Sequence, residues 1–348
     1  MTMANWLIIV TLSVALGSTA TAQERAGTEY AQNELLRQLS QYHRPTDLGA
    51  MGRNRHSWFH ARFQMGVHQH AHLAVQERDV AAADAYVRAL EYTFAQQDAD
   101  GGFRVVLPPA LAAEYLEGPA AIDLASGTAF FLASAADGWL ALHASPWFLS
   151  NAECASLRQR LHELLPQLEL SATYLAAHAP QLLLADSRAP NRLLFNALAY
   201  YGLGNILDDD SLRSLGGEFR QAALALQHQD GYFLEGSGYD SSYNAVACAI
   251  GLRLQAAGDD DPELTLALAE AMRWQLSRIT AAGDVLLEGN TRVRSEDGET
   301  FLGQTKGMDI PHLVEALYWY SRLHGATEVL PVAQRVIQRA RNPRANGP

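Results

Sequence analysis

The sequence predicts an all-α protein, an (α/α) toroid of repeated helical hairpins. Two observations carry this prediction: apolar residues recur at spacings of three and four along most of the chain, and one helical hairpin unit is repeated. No stretch alternates apolar and polar residues convincingly for more than a few positions, which disfavours a sheet. The helical spacing covers residues 29–42, 56–76, 79–96, 121–143, 152–178, 191–207, 211–228, 241–256, 262–279, 311–324 and 327–341.

Each repeat contains a helix, a glycine turn, a short extended piece, a Leu-Glu-Gly string and a second helix. The turns are QQDADGGF (96–103), QHQDGYF (227–233) and TAAGDVL (280–286), and the strings are YLEG (115–118), FLEG (233–236) and LLEG (286–289). An aspartate that is predicted to cap the next helix follows each string: Asp123, Asp240 and Asp309. Hairpins repeated in this way are typical of a closed α/α toroid, with a plain α-solenoid as the alternative.

The N-terminal segment is typical of an export signal. Residues 7–17 form an apolar run, and Ala20 and Ala22 form an Ala-x-Ala site, although residues 1–6 carry no Lys or Arg. A membrane anchor is the alternative, but the run is short for a bilayer span. We therefore expect cleavage after Ala22, a periplasmic or secreted protein, and no membrane span after cleavage. The predicted organisation is a signal peptide (1–22), one toroid domain (23–342) and a frayed tail (343–348).

Composition limits the classes of partner. The 348 residues include 38 acidic and 26 basic side chains, for a net charge of −12, which argues against a nucleic-acid binder. A polyanionic substrate requires a local basic cleft that overrides this field. The two cysteines, Cys154 and Cys248, are expected to be buried free thiols, with a disulfide as the alternative.

The richest concentration of polar and aromatic side chains lies at 230–244, DGYFLEGSGYDSSYN. In a toroid, this segment and the other Leu-Glu-Gly loops share one rim and lead into helix N-termini, which favour anions and polar ligands. Its pattern Asp-Gly-x-x-x-Glu-Gly-x-x-Tyr-x-x-x-Tyr is similar to the tyrosine-bearing segment of heparinase II/III-like and alginate-lyase-like polysaccharide lyases. The resemblance implies an α/α toroid that uses a tyrosine in β-elimination. The turn Q-x-x-D-G-G-F at 97–103 likewise resembles turns of terpenoid cyclases, glycosidases and polysaccharide lyases.

β-Elimination of a uronate requires a group that neutralises the sugar carboxylate, a base for the C5 proton and an acid for the leaving oxygen. Tyr239 and Tyr243 are four residues apart and are predicted to face one cleft. They are predicted to act as base or acid, because a nearby arginine lowers the pKa of a tyrosine. Arg192 and Asn196 are one helical turn apart and are predicted to clamp the carboxylate. Glu235 is a further catalytic candidate, although its repetition in every string favours a structural hydrogen bond. Core packing is the alternative for the tyrosines.

A second set of residues is predicted to contact the substrate. The long loop 290–308 is the most basic part of the predicted rim, and the segment 51–72 combines three arginines with five histidines. His56/His60 and His68/His72 are i,i+4 pairs that can bind a metal, but no third ligand is evident, so neither a metal nor a cofactor is predicted. The predicted substrate-binding residues are Asp240, Asn244, Arg292, Arg294, Lys306, His56 and His60.

The leading hypothesis is thus an exported enzyme acting on a polysaccharide or oligosaccharide, a uronate-type lyase. The first alternative is a glycoside hydrolase on the same scaffold, with a carboxylate pair drawn from Glu117, Glu235, Asp240 and Glu288. The second is a non-catalytic toroid that binds a glycan or a protein. A rim cluster of tyrosine, arginine, asparagine and histidine favours the lyase, whereas a facing carboxylate pair favours the hydrolase.

Overall fold

The computed structural model describes residues 22–56, 58–108, 120–294, 296–301 and 304–342, and within them the chain is an all-α toroid. The helices are α1 (Ala22–Tyr42), α2 (His68–Glu77), α3 (Val80–Phe94), α4 (Ala121–His143), α5 (Pro146–Ser150), α6 (Ala155–Glu163), α7 (Leu165–Ala185), α8 (Pro190–Leu207), α9 (Asp210–Leu224), α10 (Ser241–Ala256), α11 (Pro262–Ser277), α12 (Ile310–His324) and α13 (Val329–Arg341). Two short antiparallel strands, β1 (Thr300–Phe301) and β2 (Gln304–Thr305), pair between α11 and α12. The predicted cleavage signal up to residue 21, the first Leu-Glu-Gly string with Glu117, and the tail 343–348 lie outside the described residues.

Five helices form an inner ring. α2, α4, α8, α10 and α12 each pack against the next, and α12 returns to α2, where the rings of His72 and Trp319 lie 4.8 Å apart. α1, α3, α7, α9, α11 and α13 cover the outside of this ring. Apolar and small residues surround α4, α8 and α10 on nearly every side, which suits helices that are enclosed by neighbours. The ring therefore confirms the predicted toroid.

Equivalent glycine turns connect three of the outer helices, α3, α9 and α11, to the extended pieces that follow them. Gly101, Gly231 and Gly283 have φ values of 95°, 96° and 92°, in the left-handed region that favours glycine. A side chain at any of the three would collide with the backbone of the next outer helix. An isolated antiparallel bridge spans each turn, pairing Gln97 with Phe103, Gln227 with Phe233, and Ile279 with Val285.

Two of the three predicted aspartate caps are present. Asp240 caps α10 and Asp309 caps α12, each through its side-chain oxygen. The expectation for Asp123 is wrong, because α4 begins earlier and has Ala120 at its N-cap position. Asp123 lies instead in the first turn, where its charge complements the positive end of the helix dipole.

The predicted helix over 56–76 is wrong in its first half. α2 begins only at His68, and the preceding chain forms 3₁₀ turns at 52–55 and 61–64. The side chain of Asn54 provides the physical reason: it donates to the His60 carbonyl at 3.0 Å and accepts from the His60 N–H at 2.9 Å. These bonds offer the backbone an alternative to a helix, so His56 and His60 share no helical face.

A buried polar centre joins four of the inner helices. Arg253 of α10 is fully buried and donates to Asp137 Oδ2 of α4 at 2.7 Å. His72 Nε2 of α2 lies 2.8 Å from Asp137 Oδ1, and His68 of α2 pairs with Glu315 of α12. Because removal of one partner leaves a buried charge uncompensated, these pairs hold the ring in one arrangement.

The remaining fold predictions concern cysteines and membrane spans. Cys154 and Cys248 are both buried and unbridged, as predicted. Burial raises the pKa of the Cys248 thiol, which therefore packs as a small apolar side chain. Along the described ranges, no helix combines the length and the apolar character that crossing a membrane requires.

Candidate active site

One end of the toroid contains a cavity of about 470 Å³. The first turns of α8, α10 and α12 border it, together with the 3₁₀ turn at 61–64 and the loop between α11 and α12. Inner-helix N-termini therefore converge on this cavity, and their N–H groups favour negative charge. The lining residues are Arg62, Phe63, Met65, Phe130, Asn191, Arg192, Phe195, Ser242, Tyr243, Val246, Arg292, Val293, Lys306, Gly307, Met308, Asp309, Pro311 and His312.

Asp240 positions the two walls of this cavity relative to each other. Its Oδ1 accepts the N–H groups of Ser242 and Tyr243 and so caps α10. Its Oδ2 accepts the N–H groups of Arg292 at 2.9 Å and Val293 at 2.7 Å, which belong to the facing loop. Asp240 is fully buried, so its role is to anchor the loop and not to contact a ligand.

The second and third Leu-Glu-Gly loops lie side by side at this rim, as predicted. Thr291 Oγ1 donates to the Glu235 carbonyl at 3.0 Å, and the Tyr239 hydroxyl donates to the Glu288 carbonyl at 3.2 Å. The position of the first string is outside the described residues. The repeat thus brings two distant segments of the chain to one edge of the cavity.

Four cationic side chains line the cavity: Arg62, Arg192, Arg292 and Lys306. Of the carboxylates in the described part of the chain, Asp309 alone lines it. The lining is therefore basic although the chain carries a net charge of −12. This is the local basic cleft that a polyanionic ligand requires.

Tyr243 lies in the first turn of α10 at the cavity wall. Its hydroxyl donates to Glu299 Oε2 at 2.7 Å and accepts from Lys306 Nζ at 2.6 Å, while the Arg292 guanidinium lies 4.7 Å from its ring centroid. Burial, followed by the hydrogen bond to Glu299, raises the pKa of Tyr243 against the opposing effect of Arg292. Arg292 thus lowers this pKa as expected, but burial and Glu299 outweigh its effect and the net shift is upward. Tyr243 keeps its proton at neutral pH and suits an acid better than a base.

Glu299 connects the polar groups of this wall. Its Oε1 accepts from Arg292 Nη2 at 2.6 Å and lies 3.1 Å from Lys306 Nζ. Burial acts to raise its pKa, but the hydrogen bonds from Arg292, Tyr243 and Lys306 outweigh burial and lower the pKa to about 2. Glu299 is thus anionic at neutral pH and holds two cations and one phenol together. Sequence reasoning missed this residue because 56 positions separate it from Tyr243.

Glu235 lies behind this wall. It is buried, forms an ion pair with Arg292, and is not part of the cavity lining. Burial raises the pKa of Glu235, and Arg292 opposes that effect. The geometry places Glu235 as a support for the Arg292 guanidinium.

His312 and Asp309 form an ion pair in the cavity lining. His312 Nδ1 lies 2.9 Å from Asp309 Oδ2, and Asp309 Oδ1 accepts the backbone N–H of His312. Burial acts to lower the pKa of His312, but the charge and hydrogen bond of Asp309 outweigh burial, and the pKa is raised. One aspartate thus caps α12 and orients the imidazole. From the sequence, Asp309 is predicted only as a cap, and His312 carries no local signal that marks it as a site residue.

Arg192 reaches the cavity from the first turn of α8. Its Nη1 lies 3.3 Å from Asp186 Oδ1, and its side chain is 37% exposed, so its charge faces the open space. Arg62 lies against the Phe130 ring, 4.5 Å from the centroid. Burial and then repulsion from Arg192 lower the pKa of Arg62 to about 10, which leaves Arg62 charged at neutral pH. This mutual repulsion favours an anion between them.

Three predicted residues near this wall do not line the cavity. Asn196 is fully buried and donates to Asp186 Oδ2 at 3.1 Å, behind Arg192. Asn244 accepts the Phe233 N–H at 3.0 Å and so holds the glycine turn. Tyr239 precedes the cap of α10 and packs against Trp274, with ring centroids 5.3 Å apart. It therefore does not share the cleft of Tyr243, contrary to the i,i+4 argument.

Three further predicted residues lie outside the lining. Arg294 is exposed and donates to the Thr291 carbonyl at 2.7 Å. His56 is exposed on the loop between the two 3₁₀ turns. His60 caps the second of these turns through Nδ1, and burial lowers its pKa to about 4. None of the three is placed to contact a ligand in the cavity.

The carboxylates proposed for a hydrolase do not face each other across this cavity. Glu235 and Asp240 are buried and engaged behind it, and Glu288 is exposed on the rim. Glu117 lies outside the described residues. The cluster that does line the cavity contains tyrosine, arginine, asparagine and histidine.

No protein-family model and no curated protein match the chain. Among solved structures, a sugar epimerase from a ruminal bacterium aligns at 10% identity over 87% of this chain and 85% of its own, with a TM-score of 0.48. An unsaturated glucuronyl hydrolase from Bacillus sp. GL1, described as responsible for the degradation of glycosaminoglycan, aligns at 13% identity over 93% and 85%, with a TM-score of 0.45. A UGL structure described with dGlcA-Glc-Rha-Glc aligns at 12% identity over 94% and 86%, also with a TM-score of 0.45.

Proposed function

We propose that the protein is an exported carbohydrate-processing enzyme, a lyase that cleaves a uronate-containing polysaccharide by β-elimination. The observation that carries the proposal is one cavity lined by four cations, a protonated phenol and a histidine–aspartate pair. A uronate needs these groups together, because its carboxylate must be neutralised before the C5 proton becomes acidic. The chain as a whole carries a net charge of −12, so the concentration of four cations in this lining runs against the average charge of the chain.

Arg62 and Arg192 bind the sugar carboxylate in this proposal. Both line the cavity, and each guanidinium offers paired donors that match a carboxylate. Phe130 and Phe195, with ring centroids 4.3 Å apart, form an apolar wall beside them. Such a wall suits the apolar face of a pyranose ring. Desolvation in the cavity strengthens the charge stabilisation of the enolate-like intermediate.

His312 acts as the base that removes the C5 proton. Its imidazole lines the cavity, and Asp309 fixes its orientation and stabilises the imidazolium that forms. The electron pair of the C5–H bond forms the C4–C5 double bond, and the C4–O4 bond breaks. The proton removed from C5 resides on His312 until solvent takes it.

Tyr243 acts as the acid that protonates the leaving O4. It holds its proton in the free enzyme, and the phenolate that remains lies against Lys306 and Arg292. Lys306, whose pKa burial lowers, is placed to return a proton to the phenolate. Each turnover therefore takes one proton from C5 and gives one to O4, and no redox partner is required.

The proposal is tested with the chain from residue 23 on a panel of polyuronates, glycosaminoglycans and neutral glucans. Ultraviolet absorbance of the C4–C5 unsaturated product and new reducing ends are followed together. We expect both signals to rise at equal rates with a uronate polymer and neither with a neutral glucan. New reducing ends without ultraviolet absorbance would establish a hydrolase, and saturable binding without either signal would establish a binding protein.

Arg192→Gln is the variant that tests the carboxylate clamp. It should raise KM by at least an order of magnitude, because a charge-assisted bidentate contact is lost. Arg188→Gln is the matched control, since Arg188 lies four residues earlier and is exposed. Equal effects of the two substitutions would show that only the overall charge matters.

A further inference from the structure

Beside the cavity, the chain around Trp58 is held at both ends by buried residues. At its start, Asn54 is 3% exposed and bonds both backbone groups of His60. At its end, Phe59 is 3% exposed and exchanges two backbone hydrogen bonds of 2.8 Å with Val106. Trp58 lies between these buried anchors and is only half-buried.

Trp58 continues the aromatic lining of the cavity outwards. Its ring meets Phe63, which lines the cavity, edge-to-face with centroids 5.9 Å apart. The Arg53 guanidinium lies 5.2 Å from the Trp58 centroid and 5.6 Å from the Phe63 centroid. Two aromatic rings and one cation therefore form a single surface, which we call the Trp58 shelf (Arg53, Trp58 and Phe63).

We infer that the Trp58 shelf binds the sugar unit next to the one in the cavity, as a second subsite for an acidic oligosaccharide. This rests on the proposed function, because the cavity holds the first unit. A half-buried indole offers an apolar platform for a pyranose ring, and the positive charge of Arg53 attracts an acidic substituent. The cavity itself lacks room for an extended chain at about 470 Å³, so further units must lie outside it.

The inference is tested by binding of a monouronate and of oligouronates of two and three units to the Tyr243→Phe variant, which keeps the shelf but lacks the acid. Calorimetry gives Kd for each length. We expect affinity to rise roughly tenfold between the shortest ligand and one that reaches the shelf. Adding Trp58→Ala should abolish this gain and leave the Kd of the shortest ligand within about twofold. Trp58→Phe should keep part of the gain.

Trp147→Ala is the matched control. Trp147 is also half-buried but lies beside Ala141 and Ala144 at the end of α4, about 20 Å along that helix from the cavity residue Phe130. It should leave the gain with length unchanged. An unchanged gain in Trp58→Ala, or an equal loss of affinity for every length, would overturn the shelf. Either result leaves the proposed function intact, because that is decided by the products of the wild-type enzyme. A shortest ligand that still binds normally shows that Trp58→Ala is folded.

Discussion

Lys306, the only lysine in the chain, donates from Nζ to the hydroxyl of Tyr243 at 2.6 Å, across 63 residues of sequence. The ammonium is a compact point charge, so it favours the phenolate that remains after Tyr243 gives up its proton. On the other side, Glu299 Oε2 accepts a hydrogen bond from the Tyr243 hydroxyl at 2.7 Å and so favours the protonated phenol. The two contacts oppose each other, which suits a group that must both give and regain a proton in each turnover.

Replacement of Tyr243 by phenylalanine should lower turnover by about 10²- to 10⁴-fold, because it deletes a proton-transfer group. The unfolding free energy should change by only about 1 kcal/mol, since the lost hydrogen bonds lie in a partly exposed wall. Steady-state rates and thermal melts measure the two effects. Tyr239→Phe is the control: its hydroxyl bonds the Glu288 carbonyl outside the cavity, and turnover should stay within a few-fold. Near-normal turnover in Tyr243→Phe would remove the phenol from the mechanism.

Asp309→Asn should move the acidic limb of the kcat/KM profile to lower pH. A base must be neutral, so activity falls as the pH drops below the pKa of His312, which Asp309 raises above its ordinary value of 6.5. Asparagine keeps the capping oxygen but removes the negative charge. The effect of burial, which lowers the pKa of His312, is then less opposed, and this pKa falls. Glu315, which raises the pKa, and Arg253, which lowers it, stay in place. Glu296→Gln neutralises an exposed carboxylate of the facing loop and should leave the limb in place. A limb that does not move in Asp309→Asn would exclude His312 as the base.

Asp240→Ala should destabilise the fold by about 3 to 7 kcal/mol. The substitution removes a helix cap, worth about 1 kcal/mol, and leaves the buried N–H groups of the facing loop unsatisfied at about 1 to 3 kcal/mol each. Asp79→Ala is the control, because Asp79 caps α3 through Ala81 and Ala82 and, among the described residues, its side chain anchors no second segment. It should cost about 1 kcal/mol. Urea unfolding of both variants checks the difference, and similar losses would show that Asp240 is only a cap.

The folded protein should lose stability as the pH falls from about 6.5 towards 4, partly through His70. Burial lowers the pKa of His70 from 6.5 to about 4, so the unfolded chain binds a proton in this range that the folded chain does not. The slope is about 1.4 kcal/mol per pH unit for one such histidine. His43, Arg44 and Arg88 are the titratable or charged groups that face it.

His70→Gln tests this contribution, because glutamine can replace the donation from Nε2 to the His43 carbonyl at 3.1 Å. Unfolding free energies measured at pH 7, 6 and 5 should fall less steeply in the variant by about that slope. Parallel pH profiles of the wild type and the variant would show that His70 does not titrate in this window.

Local signals in the sequence predicted most of the fold. The spacing of apolar residues places α4, α10 and α11 within two residues of their observed ends, since periodicity and capping are both local. The failure at 56–76 arises from Asn54, whose side chain competes for the backbone of His60. The helical period of the apolar residues does not register such a competing hydrogen bond.

The candidate site was predictable only in part. Arg192, Tyr243, Arg292 and Lys306 stand out because their residue types suit the chemistry and lie near helix N-termini or in the basic loop. The position of Tyr239 was predicted wrongly because an i,i+4 argument holds only inside a helix. Tyr239 precedes Asp240, the N-cap of α10, and so lies outside the helix. Glu299 and His312 depend on contacts between segments that are distant in the sequence, and no local pattern encodes those contacts.

The central claim is that the bond is broken by elimination, and the masses of the products test it most directly. A defined acidic oligosaccharide is digested to completion and its two fragments are weighed by mass spectrometry. The account predicts that the fragment masses sum to the mass of the substrate, because the Tyr243 proton replaces the one taken by His312. The unsaturation should lie on the fragment whose uronate has lost O4, and the other fragment should keep O4 as a hydroxyl. Fragments whose masses sum to the substrate plus one water, with no unsaturation, would contradict it and establish hydrolysis.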